Sequence, residues 1–359
     1  MKRLIVSFQN WIYFHLENNP ALINKVLFRI FLGAGLTVPS LILVSFWPSA
    51  SEHSAVPESK PDYKIQEPIQ PIPISLSIDF QKAELGEKLF NDVRLSNDNT
   101  ISCATCHNLK TGGTDRRKVS VGIKGLEGSI NAPTVFNSGF NFRQFWDGRA
   151  PNLEAQAEGP VHNPKEMGSS WKEVIEKLKS DEDYKGRFKL VFRSEIRPEH
   201  IQSAIAEFER SLYTPNSRFD QFLRGDRNAI TSEELEGYQI FKTNGCISCH
   251  QGMNIGGNMY QTFGVTGDYF GNRGNVTEAD YGLYNVTKRE EDKFRFKVPS
   301  LRNVALTAPY LHDGNASELE DAVYIMSRYQ LGRPFEKEEI DKVVKFLKTL
   351  TGEFKGKKL

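Results

Sequence analysis

The stretch Cys103-Ala104-Thr105-Cys106-His107 occurs again, in the same pattern, as Cys246-Ile247-Ser248-Cys249-His250. Cys-x-x-Cys-His is the attachment signature of c-type haem, in which two thiols form thioethers with the porphyrin and the adjacent histidine binds the iron. The chain has four cysteines, and the two motifs use all of them. The sequence therefore predicts two covalent haem c groups, with His107 and His250 as proximal ligands.

Paired cysteines also occur in zinc sites, redox-active dithiols and disulfides. Zinc would favour two close cysteine pairs that fold one small module, whereas about 140 residues separate the two pairs here. A thioredoxin-like dithiol needs a βαβ context, and the flanks of both motifs are helical in pattern. Covalent haem attachment is therefore the interpretation that the sequence favours.

The composition is that of a globular protein with room for two domains. The chain has 359 residues, of which 39% are hydrophobic and 25% charged, and its formal net charge is +1. No basic stripe interleaved with aromatic residues stands out, so the sequence gives no indication of nucleic-acid binding.

An apolar run at residues 30–47 carries the compartment signal. Lys25 and Arg29 precede it. Its length lies between a signal-peptide core and a short membrane-spanning helix, and the flanking positive charge keeps the N-terminus inside. We interpret residues 1–50 as a cytoplasmic tip followed by a signal anchor, slightly favoured, or by a cleaved signal peptide. Either interpretation places the remainder in a bacterial periplasm, where c-type haem is attached.

The predicted fold is mainly α, with two cytochrome c-like haem domains and long loops, preceded by the N-terminal apolar helix and a Pro-rich tether. Residues 51–76 are the predicted Pro-rich linker. Residues 77–225 are the predicted N-terminal haem domain, and residues 226–359 the C-terminal haem domain. Gly-rich segments at residues 111–128 and 252–284 are predicted loops.

An internal repeat supports this division. Gly86-Glu87-Lys88-Leu89-Phe90, before the first motif, corresponds to Gly237-Tyr238-Gln239-Ile240-Phe241, before the second. Thr231 and Glu234 form a predicted capping box that opens the second of these helices. Near the end of the chain, apolar residues fall on one face of residues 335–350, which predicts a closing helix.

The sixth iron ligand decides whether a haem transfers electrons or binds a small molecule. Met326 follows the second motif at a distance usual for a thioether ligand, whereas Met253 and Met259 follow it too closely. For the first haem, spacing nominates Met167. The adjacent Glu166 is an alternative, as an acid/base over an open iron. Spacing alone does not decide between these two residues.

Six further strings extend the comparison beyond the haem motifs: Gly112-Gly113-Thr114-Asp115, Asn131-Ala132-Pro133-Thr134-Val135, Gln144-Phe145-Trp146-Asp147-Gly148-Arg149-Ala150, Pro299-Ser300-Leu301-Arg302-Asn303, Thr307-Ala308-Pro309-Tyr310-Leu311-His312 and Tyr324-Ile325-Met326. They occur in the order and at the spacing of the bacterial di-haem cytochrome c peroxidases. The chain resembles this family from about Leu85 to Gly352.

The resemblance implies roles for individual residues. Met326 would be the distal ligand of the C-terminal, high-potential haem, opposite His250. Glu166 would be the acid/base over the N-terminal, peroxidatic haem, with Gln156 as its distal polar partner. Trp146 would lie between the haems as an electron relay, or would simply fill the domain interface. The resemblance further implies one Ca²⁺ at this interface.

The implied calcium ligands are Asn131 and the backbone carbonyls of Thr307 and Pro309. Such oxygen ligands suit a hard cation. The expected cofactors are therefore two covalently bound haem c groups and one calcium ion.

One position departs from the family pattern. In many members a loop histidine within Gly-His-Gly caps the peroxidatic iron of the resting enzyme and leaves on reductive activation. Ile123 occupies the corresponding position here, and isoleucine cannot bind iron. His162 is the nearest spare histidine downstream, and we interpret it as a surface residue. We therefore expect an N-terminal haem that is five-coordinate or water-bound without prior reduction.

The expected function is reduction of hydrogen peroxide to water with electrons from a c-type cytochrome or a small copper protein. A homodimer is a candidate assembly because related enzymes are often dimers. One alternative is an electron-transfer di-haem cytochrome without peroxidase activity. Another is a di-haem enzyme that oxidises residues of a partner protein, although such enzymes carry tyrosine where Met326 stands. A redox sensor is a third, but no signalling domain is visible in the sequence.

Overall fold

The described part of the chain is mainly helical. The computed structural model describes residues 67–359. The α-helices are α1 (Phe80–Phe90), α2 (Cys103–Cys106), α3 (Leu153–His162), α4 (Trp171–Lys179), α5 (Glu182–Phe192), α6 (Pro198–Ser211), α7 (Arg218–Leu223), α8 (Ser232–Thr243), α9 (Tyr269–Arg273), α10 (Tyr284–Thr287), α11 (Leu319–Gln330) and α12 (Lys337–Lys348).

Short strands and single 3-10 turns complete the regular structure. The strands form two antiparallel pairs, β1 (Tyr260–Thr262) with β2 (Arg295–Lys297) and β3 (Glu353–Phe354) with β4 (Lys357–Lys358). The 3-10 turns are Val93–Leu95, Leu109–Thr111, Ile123–Gly125, Ser138–Phe140, Cys246–Ser248, Glu278–Tyr281, Glu290–Asp292 and Val304–Leu306.

In the first half, α1 crosses α6 at a glycine. A Cβ atom added at Gly86 would overlap the carbonyl oxygen of Ala204 and would lie 2.8 Å from the Cβ of Phe208. The rings of Phe90 and Phe208 meet edge to face beside this crossing, with centroids 5.1 Å apart. The absence of a side chain at Gly86 therefore sets how closely the two helices pack.

The second half repeats this crossing with α8 and α12. A Cβ atom added at Gly237 would overlap the carbonyl oxygen of Lys342 and would lie 3.1 Å from the Cβ of Phe346. The ring of Phe241 packs on that of Phe346 with centroids 5.3 Å apart. The predicted correspondence between Gly86 and Gly237 is therefore confirmed by the packing of each on its closing helix.

Two further predictions about helices are confirmed. α8 begins behind the predicted capping box, in which the backbone N–H of Glu234 donates to Oγ1 of Thr231 at 3.3 Å and the N–H of Thr231 donates to a carboxylate oxygen of Glu234 at 2.8 Å. The closing helix α12 lies inside the predicted residues 335–350. Its buried face belongs to the core of the second half.

A second internal repeat appears when residues 131–160 are aligned with residues 297–326, which correspond without a gap. The two copies share an isolated antiparallel bridge and left-handed backbone at equivalent positions. These are the bridges Gln144–Ala150 and Tyr310–Ala316, and the positive φ angles of Asn137 and Asn303 (61° and 60°) and of Phe145 and Leu311 (69° and 70°). The two halves therefore share a backbone well beyond the haem motifs.

The two copies of this repeat meet through a reciprocal pair of backbone hydrogen bonds. The N–H of Asn131 donates to the carbonyl of His312 at 2.8 Å, and the N–H of Lys297 donates to the carbonyl of Trp146 at 2.8 Å. Asn131 is equivalent to Lys297 in the repeat, and Trp146 is equivalent to His312. An exchange of equivalent contacts is the pattern that a two-fold relation between the copies produces.

Each end of the described chain packs on the half that is more distant in sequence. Residues 67–76, which belong to the predicted linker, contribute the buried Ile69 to the core of the second half. Residues 353–359 return to the first half, where the ring of Phe354 meets that of Phe136 with centroids 5.2 Å apart. Segments from both ends therefore tie the halves together.

Some predictions lie outside the described residues or differ from the structure. The apolar helix at residues 30–47 and the linker up to residue 66 are not described. Within residues 67–359, no helix is both long enough and apolar enough to cross a membrane. The predicted loop at residues 252–284 contains β1 and α9. A strand of three residues is too short to show an alternating pattern in the sequence.

Replacing Gly86 or Gly237 by alanine should destabilise the protein by about 3 kcal/mol or more, because the added methyl group must separate two packed backbones. Gly186→Ala is a matched control, since Gly186 lies inside α5 with nothing within 4 Å of an added Cβ. Alanine there should be neutral or stabilising by up to about 1 kcal/mol. Denaturant unfolding of the holoprotein measures all three. Equal stability of the three variants would contradict the glycine crossings.

Candidate active site

Both motif histidines are fixed by a backbone carbonyl. Nδ1 of His107 lies 3.3 Å from the carbonyl oxygen of Gly113, and Nδ1 of His250 lies 3.2 Å from that of Ile255. Because a carbonyl only accepts, Nδ1 carries the proton in each ring and Nε2 keeps its lone pair for a metal. Burial lowers the pKa of both imidazoles, to about 4 for His250. Both rings are therefore in the neutral form that binds iron.

A cavity of about 570 Å³ lies beside the second motif. Cys246, Cys249, His250 and Met326 all line it. Met326 is half-buried on α11, where it borders the cavity and packs against a cluster of buried aromatic side chains. Two thiols, a neutral imidazole and a thioether around one apolar cavity fit a covalently bound haem.

The four cysteines are half-buried, and no disulfide joins them. Burial raises the pKa of Cys246 to about 12, and burial together with the charge of Glu209 raises the pKa of Cys103 to about 12. Thiols that stay protonated are poor redox nucleophiles and poor zinc ligands. The thiol environments therefore favour thioether attachment over the zinc and dithiol alternatives.

A buried carboxyl group without a complete set of partners lies beside the first motif. Glu209 on α6 is buried, and its Oε2 has no hydrogen-bond partner among the described residues. Burial raises the pKa of Glu209 to about 8, so the group is protonated at neutral pH. Buried polar atoms are ordinarily satisfied. The orphaned oxygen near Cys103 fits a site that is completed by a bound group.

The turn that follows α3 carries Glu166. Asn163 organises this turn, because its Oδ1 accepts from the N–H of Lys165 at 3.0 Å and its Nδ2 donates to Oε1 of Glu166 at 2.7 Å. Burial raises the pKa of Glu166, against the lowering effects of Asn163 and of the charge of Arg149. The charge of Glu166 contributes to the raised pKa of Cys106, so the carboxyl group lies near the first motif.

Three other predicted residues of the first half can be located. Gln156 is half-buried on α3, the helix that leads into the Glu166 turn. Met167 is 2% exposed and packs in the core of the first half, so the thioether that spacing nominated is a core side chain. His162 is exposed at the end of α3, as the sequence interpretation expected.

The repeat identifies what stands in the first half at the position of Met326. α3 begins at Leu153 and α11 begins at the equivalent Leu319. Along these aligned helices, Pro160 occupies the position that Met326 occupies in the second half. Proline has no side-chain atom that binds iron. The first half therefore lacks a counterpart of the thioether.

Ile123, in the position of the family's loop histidine, packs against the Glu166 turn. Its N–H donates to the carbonyl oxygen of Glu166 at 2.8 Å, and its side chain is buried. A Cβ atom at Gly168 would overlap Cδ1 of Ile123, and one at Gly122 would overlap the carbonyl oxygen of Lys165. The loop is therefore closed on the turn, and its two glycines permit the approach.

Trp146 lies where the two repeats meet. Its Nε1 donates to the carbonyl oxygen of Asn131 at 3.0 Å, and the residue borders the cavity of the second half. Nδ2 of Asn131 donates to the carbonyl of Arg117 at 2.8 Å, which leaves Oδ1 for another partner. Thr307 and Pro309 line the same cavity as Asn131. Neutral oxygens from these three residues fit a hard cation.

One other group of metal-ligating side chains lies near this interface. Potential ligand atoms of Asp280, His312 and Asp313 lie within 4.8 Å of one another. The guanidinium of Arg273 bonds both carboxylates, at 2.7 Å to Asp280, and Nε2 of His312 lies 2.8 Å from Asp280. Arg273 already supplies the positive charge that a metal would bring. The group is therefore a buried ion network.

Known proteins match both halves of the chain. Residues 80–228 match the model of the di-haem cytochrome c peroxidase family, and residues 235–351 match that of cytochrome c. The chain is 51% identical over 289 residues to the cytochrome c551 peroxidase of Nitrosomonas europaea, over 80% of this chain and 85% of the relative. The chain belongs to the di-haem cytochrome c peroxidase family.

Two further comparisons agree with this family. Cytochrome c peroxidase Ccp of Escherichia coli (strain K12) is 51% identical over 303 residues, which are 84% of this chain and 64% of the relative, so the chain spans less than two thirds of that protein. A crystal structure of a MauG-like protein associated with microbial copper homeostasis has a TM-score of 0.68 at 29% identity, over 82% of this chain and 95% of that one.

The predictions of family and of enzyme class are confirmed by these relatives, which are named as peroxidases. The two matched regions are a di-haem peroxidase domain and a cytochrome c domain, so the family assignment confirms two haem c groups. The prediction of a mainly helical fold with two cytochrome c-like domains is confirmed as well.

Two residues of the first half, Asn163 and Pro160, were not among the residues predicted from the sequence. Asn163 was overlooked, although an asparagine three residues before a candidate acid/base, at the end of a helix, is a recognisable turn signal. Pro160 lies outside the haem motifs and the helices that precede them, so the repeat around those motifs does not reveal its counterpart. An ungapped alignment of residues 131–160 with residues 297–326 would have found it.

Proposed function

We propose that this chain is a cytochrome c peroxidase that reduces hydrogen peroxide to water with electrons from a c-type cytochrome or a small copper protein. One hydrogen peroxide, two protons and two electrons give two waters. The proposal is carried by one difference between equivalent helices, which have Met326 in the second half and Pro160 in the first. When bound, the two haems supply the redox chemistry of the reaction. In the second half His250 and Met326 would both hold the iron, whereas in the first half His107 would be its protein ligand and peroxide could bind.

Glu166 is the proposed acid/base of the first half. Its carboxylate takes the proton from the near oxygen of peroxide and returns it to the far oxygen, which then leaves as water. The hydrogen bond from Nδ2 of Asn163 to Oε1 of Glu166, at 2.7 Å, holds the carboxyl group in one orientation. Gln156 is the polar partner that orients peroxide.

His250 and Met326 are the residues that would hold the iron of the electron-accepting haem. A thioether ligand raises the potential of a haem, which suits the site that receives electrons. Trp146 is the proposed relay between the two halves. Its backbone carbonyl accepts from the N–H of Lys297 in the other repeat, and its indole N–H donates to the carbonyl of Asn131 in its own repeat, which supports a fixed position for the ring.

The first haem is proposed to bind peroxide without prior reduction. Ile123 has no ligand atom, its side chain is buried, and its N–H is bonded to the carbonyl of Glu166. These contacts favour a loop that supports the acid/base turn. Reductive release of a distal histidine is then unnecessary.

A calcium site, a periplasmic location and a homodimer are also proposed. Asn131, Thr307 and Pro309 are the proposed ligands of a Ca²⁺ that braces the interface. The protein is proposed to act in the periplasm, either anchored through residues 30–47 or released after cleavage of a signal. A homodimer is the proposed assembly.

Glu166→Gln should lower peroxide turnover by at least about a hundredfold, because the amide cannot accept the peroxide proton. The wild-type rate should fall as the pH drops through the pKa of Glu166, which burial places above the usual range of glutamate. Steady-state assays across pH measure both effects. Glu158→Gln is the control, since Glu158 is exposed on the neighbouring α3. Near-wild-type turnover of Glu166→Gln, with both haems bound, would refute the assignment.

Pro160→Met should convert the first haem to a low-spin, thioether-ligated form and suppress peroxide turnover, because it restores the residue found at the equivalent position of the second half. Pro160→Leu changes the backbone in the same way but supplies no ligand, so it should keep an open first haem. Electron-spin resonance of the oxidised proteins separates the two outcomes. A first haem that stays open in Pro160→Met would count against the equivalence of Pro160 and Met326.

A further inference from the structure

Lys297 is a buried cation whose ammonium group has no hydrogen-bond or ion-pair partner among residues 67–359. The residue is 5% exposed on β2, where its N–H donates to the carbonyl of Trp146 at 2.8 Å and its backbone pairs with Tyr260 across the ribbon. Burial alone lowers the pKa of its ammonium group to about 8, since no carboxylate among the described residues raises it again. An unpaired buried ammonium is costly, and proteins ordinarily pair such groups.

The side chain belongs to the wall of the cavity beside the second motif. Two cationic residues line this cavity, Lys297 and Arg302, and no aspartate or glutamate does so. Arg302 is already saturated, because its guanidinium donates to Oδ1 of Asp220 at 2.7 Å and to the carbonyls of Met253 and Gln70 at 2.9 Å and 2.8 Å. Within residues 67–359, Lys297 is therefore the one cation of this wall that still lacks an anionic partner.

We propose that the ammonium of Lys297 is the ion-pair partner of a propionate carboxylate of the haem attached at Cys246 and Cys249. The haem brings two carboxylates to a cavity whose described walls supply none. A buried carboxylate and a buried ammonium are each unfavourable alone, and pairing them offsets both costs. The inference rests on assigning this cavity to the second haem, which is part of the proposed function, but it does not rest on peroxide turnover.

Comparison of the two repeat copies indicates that this ion pair affects the reduction potential of only one haem. The residue equivalent to Lys297 in the first half is the neutral Asn131, so the cation occurs in one copy only. A positive charge near a haem stabilises the reduced iron, which carries one positive charge fewer, and so raises its potential. Lys297 therefore acts in the same direction as Met326 and helps to make the second haem the electron-accepting one.

Redox titration of the holoprotein tests the pair. Lys297→Met keeps the length of the side chain and removes its charge, and it should lower the reduction equilibrium constant of the Met-ligated haem by about tenfold, which is ~59 mV for one electron. The haem of the first motif should shift much less. Lys297→Arg should restore most of the wild-type value. Lys348→Met, which removes an exposed positive charge from α12, is the control for net charge.

Several results would overturn the proposal. An unchanged potential of the Met-ligated haem in Lys297→Met, with two haems bound per chain, would do so. A shift confined to the other haem, or a loss that Lys297→Arg does not restore, would also do so. If Lys297→Met does not fold, Lys297→Gln provides the same measurement. Peroxide turnover is assayed separately, so an inactive wild-type protein with the expected Lys297 shift would defeat the peroxidase proposal and leave the ion pair standing.

Discussion

The two halves depend on a close crossing between the helix that precedes each haem motif and the helix that closes that half. At Gly86 and at Gly237 the chain has no side chain, and in each case a methyl group would overlap the backbone of the partner helix. The crossing fixes where the first helix ends, and the Cys-x-x-Cys-His motif follows that helix. The aromatic pairs Phe90–Phe208 and Phe241–Phe346 pack beside the crossings. The two haem sites are built alike because each half contains the same close helix crossing at a glycine.

The two sites differ through a few substitutions on a shared backbone. Residues 131–160 and 297–326 follow the same course, yet equivalent positions hold Pro160 or Met326, Trp146 or His312, and Asn131 or Lys297. Each exchange changes a chemical property rather than the fold: a proposed iron ligand, the kind of aromatic ring at the interface, and a buried charge. The reciprocal backbone hydrogen bonds bring the last two pairs of positions together. Two of the three exchanges therefore lie where the copies meet.

Much of this arrangement could be predicted from the sequence because it rests on local patterns. The haem motifs, the capping box at Thr231 and the apolar face of α12 are all signals within a few helical turns. The alignment of Gly86 with Gly237 indicated the internal repeat. Spacing nominated Met326 as an iron ligand, the family resemblance implied the same role, and the structure adds that the residue borders the cavity.

The features that could not be predicted arise from contacts between distant segments. Nothing around Ile123 indicates that its N–H bonds the carbonyl of Glu166, and nothing around Ile69 indicates that it fills the core of the second half. Lys297 looks like a solvated strand residue until its burial is known. Met167 illustrates the converse, since a plausible spacing gave a ligand where packing gives a core side chain.

The most direct test of two unequal haems is the electron-spin resonance spectrum of the oxidised, as-isolated holoprotein, recorded before and after addition of cyanide. An open first haem and a second haem filled by His250 and Met326 predict one high-spin signal and one low-spin signal, and cyanide should convert only the high-spin signal. Two low-spin signals that are both insensitive to cyanide would contradict the account, because neither half would then offer a position for peroxide.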